Sequence, residues 1–170
     1  YIPPEQIKDM KALVIDDNDH ACEIAKTYLE NIGLQVTVKQ NALDGINLLE
    51  SSKEPFDLVL LDYIMPPGID GIEAAKRISN SKLIPNTPLL ILVTSRGLLD
   101  FDQTELQIFD AKINKPLNPS LLFDTLMKVL QIINPIQNSS KTHKKILDHR
   151  KFENIRGAKI LLVEDIKLNQ

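Results

Sequence analysis

The chain has 170 residues, of which 43% are hydrophobic and 25% are charged, and its formal net charge is -3. This length accommodates one domain of ordinary size plus connecting segments, with enough apolar residues for a packed core. The negative charge excludes a general attraction to nucleic acid or acidic membranes. The single cysteine, Cys22, excludes an intrachain disulfide, and the longest apolar runs are too short for a membrane span.

Short apolar runs alternate with amphipathic stretches from residue 10 to residue 133. The sequence predicts strands at 12–15, 34–38, 58–61, 89–93 and 111–113, and the alternation at 34–38 indicates a strand with one wetter face near a sheet edge. The stretches between and after them predict helices at 20–33, 42–51, 71–80, near 98–108 and at 119–133. Strict alternation with continuously apolar strands is typical of an α/β fold, a doubly wound parallel sheet with helices on both faces.

Polar side chains follow four of the predicted strands. In an open parallel sheet, ligands bind outside the carboxyl ends of the strands, so these side chains are candidates for one site. Clustered carboxylates favour a hard divalent cation such as Mg²⁺, while a lysine and a hydroxyl suit an anionic group, and together they indicate phosphoryl transfer. The residues, in strand order, are Asp16 and Asp17, Asp62, Thr94 and Ser95, and Lys115.

Residues 10–133 resemble a response-regulator receiver domain. The resemblance is carried by "ALVIDDN", "FDLVLLDYIMP…DG", "LVTS" and "NKP", which occur in this order. It implies a flavodoxin-like, five-stranded sheet of order 2-1-3-4-5. Its implied partner is a histidine kinase dimerisation domain carrying phosphohistidine, or a histidine phosphotransfer protein, and no nucleic acid. The receiver would catalyse only its own aspartyl phosphorylation, because the chain lacks an ATP-binding kinase core.

The resemblance also implies a role for each residue of the site. Asp62 would be the phosphoacceptor and Thr94 would hydrogen-bond a phosphoryl oxygen. Lys115 would pair with the phosphoryl group, and a cis Lys115–Pro116 bond would aim its ammonium into the site. Mg²⁺ would be held by Asp17, Asp62 and the backbone carbonyl of Ile64, with Asp16 assisting through water.

Two positions depart from the family's usual pattern. The loop after Asp62 has three residues, 67–69, between Met65-Pro66 and Asp70-Gly71, one more than is usual. Three residues before Lys115, where the family often has Tyr or Phe, stands Lys112. Signalling through an aromatic side chain at position 112 is therefore not expected.

The sequence outside residues 10–133 indicates a longer parent protein. Residues 1–9 are interpreted as a tether from an upstream kinase core and residues 134–157 as a linker. Residues 158–170 contain "KILLVED", which resembles the first strand of a second, truncated receiver. The expected parent is a hybrid sensor histidine kinase with tandem receivers. The fragment would be cytoplasmic and not membrane-inserted, although such a parent can be membrane-bound.

Two hypotheses of function remain open from the sequence. The first is an active phosphoacceptor in a Mg²⁺-dependent phosphorelay. The second is a degenerate receiver that serves as a docking or regulatory module without chemistry. The complete set of three aspartates, a threonine and a lysine favours the first, because a docking surface does not need it.

Overall fold

The computed structural model of the chain describes residues 7–95, 101–102 and 104–133, with side chains as far as residue 130. The strands are β1 (Lys11–Ile15), β2 (Gln35–Lys39), β3 (Leu58–Asp62), β4 (Leu89–Thr94) and β5 (Ala111–Asn114). The α-helices are α1 (Asp19–Asn31), α2 (Ala42–Ser51), α3 (Gly71–Asn80) and α4 (Pro119–Ile133). Each lies within two residues of its predicted bounds.

The five strands form one parallel sheet in the order β2-β1-β3-β4-β5. This is the predicted doubly wound, flavodoxin-like order. The chain reverses its winding direction between β1 and β3, which are neighbours in the sheet. The carboxyl ends of these two strands therefore flank the switch point, where α/β folds of this kind bind ligands.

Helices cover both faces of the sheet, as predicted. Side chains alternate along β3, so Val59 and Leu61 pack with α2 and α3, whereas Leu58 and Leu60 pack with α1 and α4. All five residues of β3 are buried. Each of these leucines contributes about 1.5–3 kcal/mol relative to an exposed side chain, which fixes β3 at the centre of the sheet.

Polar side chains cap the helices that follow β1, β2 and β3. Asn18 accepts a hydrogen bond from the backbone N–H of Ala21, and Asp70 accepts one from Glu73. Asn41 does the same at the start of α2. These caps satisfy backbone donors that a helix leaves unpaired at its first turn. They also set where each helix starts, close to the carboxyl end of the preceding strand.

The sequence predicted a helix near 98–108, and in the described part of this segment that prediction was wrong. Only a one-turn 3₁₀ helix, Glu105–Ile108, is present there. Asp102 explains the difference, because its side chain accepts hydrogen bonds from both the backbone N–H and the hydroxyl of Thr104. Such a local side-chain turn competes with helical backbone hydrogen bonds. Residues 98–100 and 103 lie outside the described residues.

The segments that flank the sheet are described only in part. Ile7 is buried among the side chains between the sheet and α1, so residues 7–9 pack onto the domain. Residues 1–6, the predicted linker 134–157 and the predicted second-receiver segment 158–170 lie outside the described residues. No helix in the described part of the chain has the length and apolar content needed to cross a membrane.

Candidate functional site

Three aspartates meet at the carboxyl ends of β1 and β3. Asp16 and Asp62 are buried, with 5% and 6% of their surface exposed, and Asp17 is exposed. One carboxylate oxygen from each lies within 4.8 Å of the other two. The parallel pairing of β1 with β3 explains this, because it brings two strand ends that are 46 residues apart in sequence side by side.

Lys115 reaches this cluster from the carboxyl end of β5. Its Nζ lies 2.7 Å from Oδ2 of Asp16 and 3.0 Å from Oδ1 of Asp62. Its backbone N–H donates to the carbonyl of Thr94 at 2.8 Å, which ties β5 to the end of β4. The Lys115–Pro116 bond is cis and the lysine points into the site, as the resemblance implied.

Asp16 is held in place by the first turn of α1. Its Oδ1 accepts the backbone N–H of Asn18 at 3.0 Å. Its backbone carbonyl accepts the thiol of Cys22 at 3.2 Å. Asn18 therefore caps α1 and orients Asp16 at the same time. The sequence reasoning missed this second role, although an Asn directly after two aspartates and before a helix is the signal that indicates it.

The segment after Asp62 passes very close to the start of α3. The backbone N–H of Gly71 donates to the carbonyl of Tyr63 at 2.9 Å. A Cβ atom at Gly71 would lie 2.4 Å from the carbonyl oxygen of Asp62. Only glycine therefore allows this approach. The family motif already contained this glycine, but its physical role became visible only in the fold.

The loop from Tyr63 to Asp70 contains the extra residue. Ile64 is 52% exposed, whereas Met65 is buried in the core between the sheet, α2 and α3. Within the loop, the Pro66–Pro67 bond is cis and Gly68 has a positive φ of 141°. The insertion lies after Ile64, so it leaves the spacing from Asp62 to Ile64 unchanged.

Burial and charge shift the pKa values of the site in opposite directions. Burial raises the pKa of Asp62 above its ordinary value, and the hydrogen bond and charge of Lys115 only partly offset this. Burial lowers the pKa of Lys115, but its hydrogen bonds to Asp16 and Asp62 outweigh burial and leave the pKa raised. The lysine is therefore charged at neutral pH, and it stabilises the ionised form of Asp62.

Cys22 takes no part in the chemistry of the site. Burial, followed by the nearby charge of Asp16, raises the pKa of its thiol to about 11. The side chain is buried against the sheet. A thiol with this pKa is almost entirely protonated at neutral pH and is a poor nucleophile.

The remaining predicted residues lie where their strands place them. Thr94 is fully buried at the end of β4, next to Asn114 of β5. Lys112, at the position where an aromatic residue is usual, is half-buried in β5 beside Leu92. Among the described residues, the carboxylates of Asp16, Asp17 and Asp62 are the ones brought together with Lys115.

An apolar cleft of about 270 Å³ opens beside the cluster. Its floor is formed by side chains of the strands and of α1, and Asp16, Asp62 and Lys115 stand at its polar side. His20, in the first turn of α1, is exposed and lines this cleft. The cleft gives a partner group direct access to Asp62.

The donor set fits a hard divalent cation. Carboxylate oxygens are the ligands that Mg²⁺ prefers, and three of them converge within a few ångströms here. A single ammonium, that of Lys115, neutralises only part of their charge. A second cation at this position would relieve the repulsion among the carboxylates that remains. The residues present therefore fit Mg²⁺.

The doubly wound sheet and its acidic carboxyl edge define a CheY-like, flavodoxin-type domain. The chain belongs to the response regulator receiver domain family, whose model matches residues 12–127. It is therefore a receiver domain of two-component signal transduction, a class that accepts phosphoryl groups from histidine kinases or phosphotransfer proteins. Members of the class bind Mg²⁺ in an acidic pocket.

Two characterised relatives differ in how much of them the chain covers. Protein PilG of Pseudomonas aeruginosa is 25% identical over 132 residues, which are 78% of this chain and 96% of PilG. Sensor protein GacS of Pseudomonas syringae is 28% identical over 175 residues, which are 96% of this chain and 19% of GacS. The chain thus spans nearly all of PilG but only about a fifth of GacS.

Solved receiver domains have the same fold. The CheY-like receiver from Methylobacillus flagellatus superimposes with a TM-score of 0.65 at 21% identity, over 72% of this chain and 99% of that one. The receiver from Methanospirillum hungatei superimposes with a TM-score of 0.61 at 26% identity, over 75% of this chain and 98% of that one. The first likeness, at this low identity, concerns the fold alone.

Proposed function

We propose that the chain takes a phosphoryl group from a phosphohistidine onto Asp62. The observation that carries this proposal is the meeting of three carboxylates with Lys115, whose Nζ lies 3.0 Å from Oδ1 of Asp62. A nucleophile, a resident cation and a site for a divalent metal are the parts that phosphoryl transfer needs. A surface used only for docking has no need of them.

In the proposed step, an oxygen of the Asp62 carboxylate attacks the phosphorus of the phosphohistidine. The P–N bond breaks, its electron pair returns to the imidazole, and an aspartyl phosphate forms. Lys115 stabilises the charge on the phosphoryl oxygens, and the Thr94 hydroxyl donates a hydrogen bond to one of them. When bound, Mg²⁺ supplies further charge neutralisation at these oxygens. Asp16, Asp17, Asp62 and the carbonyl of Ile64 are the proposed ligands.

The cleft beside Asp62 supports a protein phosphodonor. It is largely apolar, it opens to solvent, and Asp62 and Lys115 stand on its polar side. An imidazole carried on a partner's helix has an apolar body and a polar reacting nitrogen, which match these two sides. The partner would be a histidine kinase dimerisation domain or a histidine phosphotransfer protein.

We propose further that the chain is part of a hybrid sensor kinase acting in the cytoplasm. The match to the sensor protein GacS covers 96% of the chain and so extends beyond the receiver match at 12–127. "KILLVED" at 159–165 supports the start of a second receiver there, with 134–157 as the linker. Residues 1–9 would connect the first receiver to the kinase core.

Intact-mass measurement of the chain with acetyl phosphate tests the chemistry. We expect a mass gain of one phosphoryl group that requires Mg²⁺ and is abolished by Asp62→Asn, because an amide is a poor nucleophile. Asp57→Asn is the matched control, since Asp57 lies just before the same strand at its other end. Labelling of Asp62→Asn at the wild-type rate would contradict the assignment. Absence of labelling in the wild type would favour the docking module instead.

A further inference from the structure

Two aromatic rings meet next to the backbone that follows Asp62. Tyr63 follows Asp62, and Phe101 belongs to the connection between β4 and β5. Their ring centroids are 4.7 Å apart and their planes make an angle of 84°, an edge-to-face contact. This is a preferred aromatic geometry, in which the positive edge of one ring meets the negative face of the other. The contact therefore favours one relative orientation of the two rings.

The rings lie on the opposite face of the sheet from the carboxylate of Asp62. Tyr63 and Phe101 pack in the core with α2 and α3, whereas Asp62 lines the cleft on the α1 side. The two rings therefore pack away from the carboxylate of Asp62. They can act on the site only through the backbone that joins Tyr63 to its neighbours.

That backbone carries two of the proposed metal ligands. Asp62 precedes Tyr63, and Ile64, whose carbonyl is a proposed ligand, follows it. The N–H of Tyr63 donates to the carbonyl of Val93 at 3.2 Å, and its own carbonyl accepts the N–H of Gly71 at 2.9 Å. The Ile64 side chain is 52% exposed and gives its own peptide little support. The direction of the Ile64 carbonyl thus depends on the anchored residues beside it, Tyr63 and Met65.

We propose that Phe101 is a positioning residue for the metal site and acts through Tyr63. The Phe101 ring is buried, with 7% of its surface exposed, and its contact holds the Tyr63 ring against the core. The peptide between Ile64 and Met65, which contains the Ile64 carbonyl, is then presented in one direction before the metal binds. Preorganised ligands bind more tightly than mobile ones, and the loss of an outer-shell support typically costs about 10- to 100-fold in metal affinity. This inference rests on the metal site of the proposed function.

The test is a Mg²⁺ titration of the full chain by calorimetry, in the absence of any phosphodonor. We expect Phe101→Leu to raise the Mg²⁺ dissociation constant about tenfold. Tyr63→Leu removes the same contact from the other side and should have a similar effect, which keeps the test decisive should one variant fail to fold. Phe101→Tyr retains a ring and should bind Mg²⁺ nearly as the wild type does.

Phe109→Leu is the matched control. Phe109 is also buried, with 6% exposed, in the same core, but it immediately precedes Asp110 and β5. It should lower the thermal stability about as much as Phe101→Leu while leaving the Mg²⁺ dissociation constant unchanged. Wild-type affinity in Phe101→Leu and Tyr63→Leu, or an equal loss in Phe109→Leu, would overturn the inference. A wild-type chain that does not bind Mg²⁺ would overturn the proposed metal site itself, and the inference with it.

Discussion

The two ends of the sheet both carry aspartates, but they use them in different ways. At the amino ends, Asp57 precedes β3 and Asp110 precedes β5, and both are exposed. At the carboxyl ends, Asp16 and Asp62 are buried and face each other across Lys115. At the amino ends, the aspartate side chains thus contact backbone donors and solvent. At the carboxyl ends, they contact other charged groups.

The amino-end aspartates complete the backbone hydrogen bonds of the sheet. Lys11 donates its N–H to Oδ2 of Asp57 at 2.8 Å, and Asp57 donates its own N–H to the carbonyl of Lys11 at 2.9 Å. Leu90 and Asp110 make the same reciprocal pair at 2.8 and 2.9 Å. These side chains satisfy N–H groups at the start of two strands, so they stabilise the fold.

Asp62, at the carboxyl end, acts against stability. Burial raises the pKa of Asp62, so its ionised form is less favourable in the folded protein than in water. Natural proteins tolerate such a cost where the charged group is needed for function. Substitutions at the two ends should therefore separate loss of stability from loss of activity.

The largest difference between the two ends of the sheet is expected in the labelling rates of two lysine variants. Lys115→Ala should slow labelling by acetyl phosphate about 100-fold, since it removes a preorganised charge that faces the transferred group, while Mg²⁺ still binds. Lys11→Ala removes a lysine that pairs with Glu54 near the amino end of β1 and should label at the wild-type rate. Rates from intact-mass time courses provide the comparison. If Lys11→Ala were labelled as slowly as Lys115→Ala, the proposed functional difference between the two ends of the sheet would be contradicted.

Two glycines provide the next test, because both are packed closely against the sheet. Gly71→Ala would press a methyl group against the backbone carbonyl of Asp62 and should lower the free energy of unfolding by about 1–3 kcal/mol. Gly45→Ala meets only the side chain of Ile15, which can shift more easily than backbone, and the added helix propensity offsets part of the cost. Urea denaturation should rank Gly71→Ala as the more destabilised variant.

A smaller effect is expected at the amino end. Asp57→Ala removes the acceptor of the Lys11 N–H and should lower the free energy of unfolding by about 1 kcal/mol, the usual net contribution of one hydrogen bond. Labelling of Asp62 should be unchanged once the protein is folded. Denaturation and labelling measured on the same sample would check both statements, and a labelling defect would contradict the second.

Asp62→Asn, measured without Mg²⁺, is expected to increase the free energy of unfolding, whereas the preceding glycine and Asp57 substitutions lower it. Because the folded protein raises the pKa of Asp62, the stability contributed by this group is present below its unfolded pKa of about 4 and is lost as the pH rises through the folded value. We therefore expect the neutral amide to raise the free energy of unfolding at pH 7. The gain should shrink as the pH falls through the raised folded pKa towards about 4, and it should not change further below that pH. Thermal melts of both proteins from pH 3 to 8 provide the measurement. A less stable Asp62→Asn variant at pH 7, or a gain in stability that does not change with pH, would contradict the expectation.

Much of the fold was predictable because its signals are local. The apolar runs and the helical spacing are properties of neighbouring residues, and the caps at Asn18 and Asp70 lie within a few residues of the helices they start. The rule that ligands gather at the carboxyl ends of parallel strands then selected Asp16, Asp62 and Lys115 as site candidates. The resemblance to receiver domains added the strand order, which local patterns cannot supply.

What only the tertiary structure decided depends on distances between residues far apart in the chain. The bridging position of Lys115 between Asp16 and Asp62 follows from the order of the strands in the sheet. The contact of Phe101 with Tyr63 has no counterpart in the hydrophobic pattern, since an aromatic residue in a connection shows no partner by its spacing. Periodicity reports which residues are buried, whereas the choice of partner is made by the packing of the whole domain.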